Sequence, residues 1–181
     1  MELEQEFELT PQKILEIIQR SPRAKQLVKG FIAEFKLEEV LFQLKKDGKI
    51  EDFNRIDKDS QPDFRVLFKR TEMTVECKNV MSGTIFSDGS PKVDFQRTRN
   101  ARDDPTSRFY TVDDFDVLAA CMHNQTGKWE FLFIRTRDLD RDIKYGDPYL
   151  RKSVKVRKEP PWENDLVKVL DAVNDEYRKL K

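Results

Sequence analysis

Two short runs of alternating residues constrain the fold of this chain most strongly. The first spans residues 64 to 68 and the second spans residues 73 to 77, with four residues between them. In both runs an apolar side chain occupies every second position, which is the period of a strand with one buried face. Because so few residues separate the runs, they predict an antiparallel hairpin whose two apolar faces share one core.

The register of this hairpin decides which polar side chains meet. A turn at Arg70-Thr71 sets Asp63 opposite Lys78, with Glu76 on the diagonal. Arg70-Thr71 lacks the Asn-Gly or Gly-X residues that two-residue hairpins prefer, so a register shifted by one pair stays open. A shift by a whole pair preserves the faces, and either register therefore brings two carboxylates and a lysine to one surface.

Such a trio has a chemical use. Mg²⁺ takes oxygen ligands from one or two carboxylates and keeps several waters, which leaves room for a phosphate oxygen and an attacking water. A lysine beside it is a point charge that can stabilise a hydroxide or the charge that develops on phosphoryl oxygens.

The same residues resemble a known family. Pro62-Asp63, twelve intervening residues and then Glu76-Cys77-Lys78 are similar to the motif of the PD-(D/E)XK nuclease superfamily, which includes most type II restriction endonucleases and several DNA-repair and junction-cleaving enzymes. The resemblance implies that Asp63 and Glu76 bind Mg²⁺, that the backbone carbonyl of Cys77 helps to hold it, and that Lys78 is catalytic.

An acidic-x-Lys triplet alone carries little information in a chain that is 38% charged. The triplet also occurs at Glu34, Asp47 and Asp142, in a helical pattern, across a glycine and in a polar loop, whereas only Glu76 lies in a strand pattern with Pro-Asp upstream. The competing interpretation is a solvated strand face on which Glu76 and Lys78 carry no chemistry.

Many relatives in the superfamily have a further acidic residue on a helix before the first catalytic strand. Glu34, Glu38 and Glu39 lie in a helical pattern at the corresponding place. The sequence does not choose among them, and a solvated helix face is the simpler interpretation for all three.

DNA contacts are predicted from two basic stretches, since arginine offers forked donors to phosphates and guanine edges and glutamine can read adenine. The predicted DNA-binding residues are Gln96, Arg97, Arg99, Arg102 and Arg108 in the first stretch, and Arg151, Lys152, Lys155, Arg157 and Lys158 in the second. The alternative for the first stretch is that its arginines pair with nearby aspartates on a solvated surface.

The chain of 181 residues is expected to form a single nuclease domain, residues 1-181. Within it we expect a helical N-terminal part over 1–50, a catalytic sheet core over 60–137 and a C-terminal helix over 162–181. No apolar run approaches the ~20 residues of a membrane span, the N-terminus is acidic, and two isolated cysteines suit a reducing cytoplasm. The formal charge of zero favours no partner by itself.

Finer patterns predict individual elements. Thr10-Pro11 predicts the start of a first helix that runs to about residue 19, and apolar spacings of three and four predict one or two helices over 24–45. A third strand is predicted from Lys92 to Thr98, with a helix that starts at Ser90-Pro91 as the alternative. Residues 115–122 and 128–136 predict two buried strands joined by a turn, with His123 facing solvent. Residues 137–161 are predicted to be a polar connector, and an apolar stripe over 166–180 predicts a terminal helix.

Together these patterns predict an α/β fold with a central mixed β-sheet flanked by helices, which the resemblance also implies. The function expected is that of a Mg²⁺-dependent endonuclease of restriction type acting on double-stranded DNA, as a homodimer or as the cleavage module of a larger assembly. A DNA-repair or junction-resolving nuclease of the same superfamily and a non-catalytic DNA-binding module are the alternatives.

Overall fold

A computed structural model describes residues 3–58, 61–83, 85–94 and 104–179. The chain divides into two compact units, Met1–Ile32 and Ala33–Lys181. The helices are α1 (Leu3–Phe7), α2 (Pro11–Arg20), α3 (Pro22–Lys46), α4 (His123–Thr126) and α5 (Leu166–Lys179). No helix among the described residues is long and apolar enough to cross a membrane.

The first unit holds α1, α2 and the start of α3. The predicted cap of α2 is confirmed, since the Thr10 side chain accepts a hydrogen bond from the backbone N–H of Lys13 at 3.3 Å. The region from 24 to 45 lies in one continuous helix, α3. Gly30 does not interrupt it, because a single glycine costs a helix only about 1 kcal/mol.

The second unit is built on a five-stranded sheet, and the predicted fold class is confirmed. The strands of the chain are β1 (Asp52–Arg55), β2 (Phe64–Phe68), β3 (Thr71–Asn79), β4 (Lys92–Asp94), β5 (Val117–Cys121), β6 (Phe131–Arg135), β7 (Arg141–Asp142), β8 (Gly146–Leu150) and β9 (Ser153–Lys155). The central sheet has the order β1-β2-β3-β5-β6, in which β3 and β5 are parallel and the other neighbours are antiparallel.

Apolar side chains cover both faces of this sheet. On one face, Leu37 and Leu41 of α3 and Leu170 of α5 pack with the alternating apolar residues of β2 and β3. On the other, Leu118 of β5 and Leu132 of β6 pack under the segments that follow β3 and β6. β3 is therefore central in the sheet and covered on both sides, which is why a polar side chain on it needs a partner.

The β2–β3 hairpin forms, but the predicted turn at Arg70-Thr71 is wrong. The turn lies at Lys69 and Arg70, whose φ angles of 50° and 64° place both in the left-handed region, as a two-residue turn that follows the twist of the strands requires. The register pairs Phe64 with Val75, one pair away from the predicted alignment. The faces are unchanged, as the parity argument predicted.

The later part of the chain departs further from expectation. β4 pairs with β9 and does not join the central sheet, and positions 95–98 of the predicted third strand lie outside the described residues. The predicted connector over 137–161 is wrong, because short strands separated by Asp, Gly and Pro turns fill much of it. Because its residues are mostly polar, its strands of two to five residues show no apolar alternation from which they could be predicted.

Two other predictions concern the end of the sheet. β5 and β6 form an antiparallel pair joined by α4, which ends at Thr126 and is capped by Gly127 at φ 73°. His123 was expected to face solvent and is only partly exposed, since its ring stacks on Trp129 with centroids 3.9 Å apart and its Nδ1 is buried. The terminal helix forms as α5, which begins at Leu166 and not at residue 162 as expected.

Candidate active site

β3 carries two of the predicted site residues on the face that packs away from α3 and α5. Glu76 is buried, with 3% of its surface exposed, and Lys78 Nζ donates a hydrogen bond to Glu76 Oε1. The Lys78 side chain keeps 28% of its surface exposed. Strand alternation puts residues 76 and 78 on one face, so the ion pair follows directly from the sequence spacing.

A third member of this cluster, Tyr110, was missed by the sequence analysis. Its hydroxyl donates to Glu76 Oε1 at 3.0 Å, and its ring centroid lies 5.5 Å from Lys78 Nζ. Glu76 therefore receives a charged donor and a neutral donor on the same oxygen. The contact joins residues 34 positions apart, and a tyrosine in an irregular segment gives no periodic signal that could reveal it.

Asp63 lies immediately before β2, at the end of the β2–β3 ladder. Its Oδ2 accepts a hydrogen bond from the backbone N–H of Cys77 at 2.7 Å. The N–H and C=O of one strand residue face the same neighbouring strand, so the carbonyl of Cys77 faces the side on which Asp63 lies. The structure thus brings Asp63 to the stretch Glu76–Lys78, as the hairpin predicted.

The electrostatics of the cluster couple these groups. Burial, and then the charge of Glu76, raise the pKa of Asp63 to about 7, while Lys78 opposes that shift. Burial disfavours the charged form of Lys78, but Glu76, Tyr110 and Asp63 together outweigh it, and the pKa of Lys78 lies above its usual value. Burial raises the pKa of Tyr110 to about 12, so its hydroxyl stays a donor. Burial and the charge of Glu76 thus disfavour ionised Asp63, and a cation bound beside both carboxylates would favour it.

The three helical glutamates differ in where they lie. Glu34 pairs with Arg55 of β1 at 2.6 Å, and burial raises its pKa against the opposing charges of Arg55 and Lys78, with Glu76 adding to the rise. Glu38 lies 3.8 Å from Arg55, and Glu39 pairs with Lys36 at 2.8 Å on the exposed surface. The pKa of Glu34 thus responds to charges of the candidate site.

These groups are oxygen donors of the kind that a hard divalent cation binds. Asp63 and Glu76 supply carboxylates, and the carbonyl of Cys77 is a third oxygen on the same side. Across the described residues, no group of three or more His, Cys, Asp or Glu side chains has the arrangement of a metal centre. Two carboxylates and a backbone carbonyl, completed by water, are a donor set of the kind that Mg²⁺ accepts.

The predicted DNA-binding residues are only partly described. Gln96, Arg97, Arg99 and Arg102 lie outside the described residues, while Arg108 falls in a turn before Phe109. In the second stretch, three basic residues form ion pairs. Lys155 lies 2.6 Å from Asp88, and Arg151 lies 3.9 Å from Asp140. Arg157 lies 3.7 Å from Asp88 and 3.8 Å from Glu159. Lys152 lies over the ring of Phe109 and Lys158 is exposed.

A cavity of about 550 Å³ lies elsewhere, lined by Trp129, Trp162 and Lys158 among others. Neither Asp63 nor Glu76 lines it. The candidate site is therefore distinct from this cavity.

No protein-family model and no curated protein sequence matches the chain. A solved structure does match, that of a bacterial homing endonuclease, I-Ssp6803I. The TM-score is 0.50 at 16% sequence identity, and the match covers 85% of this chain and 97% of that one. At this identity the comparison shows a shared fold, a mixed sheet with helices packed on it.

Proposed function

We propose that this protein is a Mg²⁺-dependent endonuclease that hydrolyses phosphodiester bonds in double-stranded DNA. The observation that carries the proposal is the grouping of Asp63 with Glu76 and Lys78. A buried carboxylate and a lysine that stays protonated on β3 meet a second carboxylate, just before β2, whose pKa is raised. Perturbed titratable groups of this kind concentrate at functional sites.

The residues divide the work as follows. Asp63, Glu76 and the Cys77 carbonyl would hold Mg²⁺, which when bound activates water and neutralises phosphate charge. Lys78, a protonated ammonium beside Glu76, stabilises the charge that gathers on the phosphoryl oxygens in the transition state. Glu34, whose carboxylate responds to the charges of Lys78 and Glu76, would help to orient a water at this group.

The type of endonuclease follows less directly. A restriction-type enzyme is the first proposal, because the Pro-Asp and Glu-Cys-Lys spacing resembles that of the PD-(D/E)XK enzymes. A homing-type enzyme is the second candidate, because the solved structure with the shared fold is described as a homing endonuclease. Sequencing the fragment ends of a digested genome distinguishes these two candidates. Many cuts at a short target would favour the restriction type, and few cuts at a long target would favour the homing type.

A repair or junction-resolving nuclease is distinguished by substrate form, since it would prefer branched DNA to a linear duplex. A double-strand cut needs two such sites, so we also propose that the active species is a homodimer or part of a larger assembly. Twofold symmetry would match a palindromic target.

The proposal is tested by neutralising the carboxylates. Asp63→Asn and Glu76→Gln should abolish cleavage of plasmid DNA in Mg²⁺, while Glu72→Gln, an exposed glutamate on the same strand, should cut at the wild-type rate. Near wild-type cleavage by both Asp63→Asn and Glu76→Gln would contradict the proposal that these carboxylates hold the metal.

A further inference from the structure

The hairpin formed by β7 and β8 presents an unusual tip. Ile143 lies between the two strands and is 83% exposed, more than any other large apolar side chain in the described ranges. The turn around it is fixed, because Asp142 Oδ1 accepts hydrogen bonds from the backbone N–H groups of Lys144 at 2.9 Å and Tyr145 at 3.1 Å. An isoleucine is thus held out into solvent on an ordered turn.

Aromatic rings pack along the hairpin, from its turn into β8. The rings of Tyr145 and Tyr149 pack edge to face with centroids 6.0 Å apart. Each also packs edge to face on Phe109, with centroid distances of 5.3 Å for Tyr145 and 6.0 Å for Tyr149. Rings in this arrangement attract one another beyond their burial. The hairpin is therefore tied to the segment that contains Phe109.

That segment leads directly to the candidate active site. The backbone N–H of Leu150 donates to the Tyr110 carbonyl at 2.8 Å, and that of Val112 donates to the Pro148 carbonyl at 3.0 Å. Since the hydroxyl of Tyr110 contacts Glu76, a single residue is bonded to both β8 and the site. The hairpin base adjoins the place where the scissile phosphate would bind.

Two exposed lysines flank this structure. Lys144 Nζ lies 4.8 Å from the Tyr145 ring centroid and Lys152 Nζ lies 4.7 Å from that of Phe109. Within the residues that the structure describes, no carboxylate pairs with either ammonium group, whereas the neighbouring Arg141 pairs with Asp147 at 2.8 Å. Both ammonium groups are exposed and free to meet phosphates.

We propose that the β7–β8 hairpin contacts duplex DNA beside the cleaved bond. In this inference, which rests on the proposed function, Lys144 and Lys152 bind phosphates and Ile143 enters the major groove. A groove about 12 Å wide admits a two-stranded ribbon, and an apolar side chain there recognises the methyl group of thymine. Ile143 then contributes to the choice of target sequence.

DNA fits the hairpin tip better than a protein partner does. A stable protein interface buries at least about 1,000 Å² around an apolar centre, whereas the tip offers one isoleucine between charged neighbours. Lysines without carboxylate partners beside a single apolar side chain suit a polyanion whose grooves carry methyl groups.

The experiment measures binding in Ca²⁺, to separate it from cleavage, on a target selected by the wild type from random duplexes. Lys144→Ala and Lys152→Ala should each reduce the slope of log affinity against log salt by about one and weaken binding evenly across sequences. Ile143→Ala should lower affinity roughly fivefold to tenfold on the selected target alone, and repeated selection should show relaxed choice at one or two base pairs.

Phe42 provides the matched control. It is 62% exposed on α3 beside Glu38 and Glu39, an acidic setting unsuited to DNA, so Phe42→Ala should bind like the wild type. Thermal unfolding of each variant checks that it is folded, which the exposure of the replaced side chains favours.

If the wild type cuts DNA in Mg²⁺ but all three hairpin variants keep its affinity, salt slope and sequence choice, the inference is wrong and the proposed function stands. A change in self-association of Ile143→Ala with unchanged DNA binding would also overturn it in favour of a protein contact. If the wild type neither binds nor cuts any duplex, the proposed function fails first.

Discussion

Glu76 is a carboxylate buried within a sheet, a position that costs several kcal/mol unless donors compensate. Lys78 and the hydroxyl of Tyr110 are those donors. The sequence could predict the first, because residues two apart on a strand share a face. It could not predict the second, because Tyr110 reaches Glu76 through the tertiary fold from a segment with no period.

The role of Tyr110 gives one prediction. Tyr110→Phe keeps the ring near Lys78 but removes the donor to Glu76, so Glu76 should hold Mg²⁺ in a less defined geometry. We expect cleavage to slow by roughly tenfold, since a hydrogen bond to a charged group is worth about 1.5 to 3 kcal/mol, with DNA affinity in Ca²⁺ unchanged. Single-turnover rates across a Mg²⁺ titration measure this; an unchanged rate at every concentration would contradict it.

Asp63 gives a prediction about pH. Its pKa in the folded protein is about 7, above the value near 4 of an unfolded chain. The stabilisation from its protonated form is therefore complete below about pH 4 and is lost as the pH rises to about 7. Asp63→Asn keeps an acceptor for the Cys77 N–H and removes the charge, so without divalent ions it should unfold with a higher free energy than the wild type.

The difference in free energy of unfolding between Asp63→Asn and the wild type should grow from about pH 4 to about pH 7. It should reach roughly 1 to 3 kcal/mol at pH 8. Urea unfolding at a series of pH values measures it. Adding Mg²⁺ at pH 8 should narrow the gap by stabilising the wild type. A gap that is constant with pH would mean that Asp63 is ionised throughout.

At the scale of elements, alternation and helical spacing predicted the long or buried segments and failed on the short ones. β2, β3, β5 and β6 follow their apolar periods, and α5 follows its stripe. β7, β8 and β9 do not, because their residues are mostly polar and their pairing is set by turns and by contact with the segment around Tyr110. The β2–β3 turn was misplaced because Lys69 and Arg70 adopt left-handed conformations that their residue types do not favour.

Two glycines in different backbone conformations, Gly30 and Gly127, give a prediction on stability. Gly30 is helical and a Cβ placed on it would meet nothing within 4 Å, so Gly30→Ala should raise the free energy of unfolding by about 0.5 to 1 kcal/mol. Gly127, at φ 73°, is the control, because Gly127→Ala should lower it. Denaturant unfolding of both variants checks the pair; a loss of stability in Gly30→Ala would show that α3 is constrained there by other contacts.

At the scale of the whole molecule, the helices of the first unit expose many large apolar side chains. Along α2 no residue is buried, and Leu15 and Ile17 are 64% and 48% exposed. Exposed apolar helix surfaces commonly mark association sites, which agrees with the proposed homodimer.

We therefore expect a sedimenting mass of at least twice the 21.5 kDa of the chain, and expect Leu15→Glu with Ile17→Glu to shift it towards the monomer. The matched control replaces Lys13 and Gln19, polar residues of the same helix, with glutamate. A wild type that stays monomeric at tens of micromolar would contradict the homodimer.

The central claim is that Lys78 acts in a metal-dependent cleavage site, and one paired measurement tests it. Lys78→Ala should bind DNA in Ca²⁺ with the affinity of the wild type, because a protonated lysine is no metal ligand and Ca²⁺ supports binding through its looser coordination shell. In Mg²⁺ its single-turnover cleavage should fall by about a hundredfold to a thousandfold, since a preorganised charge is lost from the transition state. Cleavage by Lys78→Ala at the wild-type rate would contradict the account.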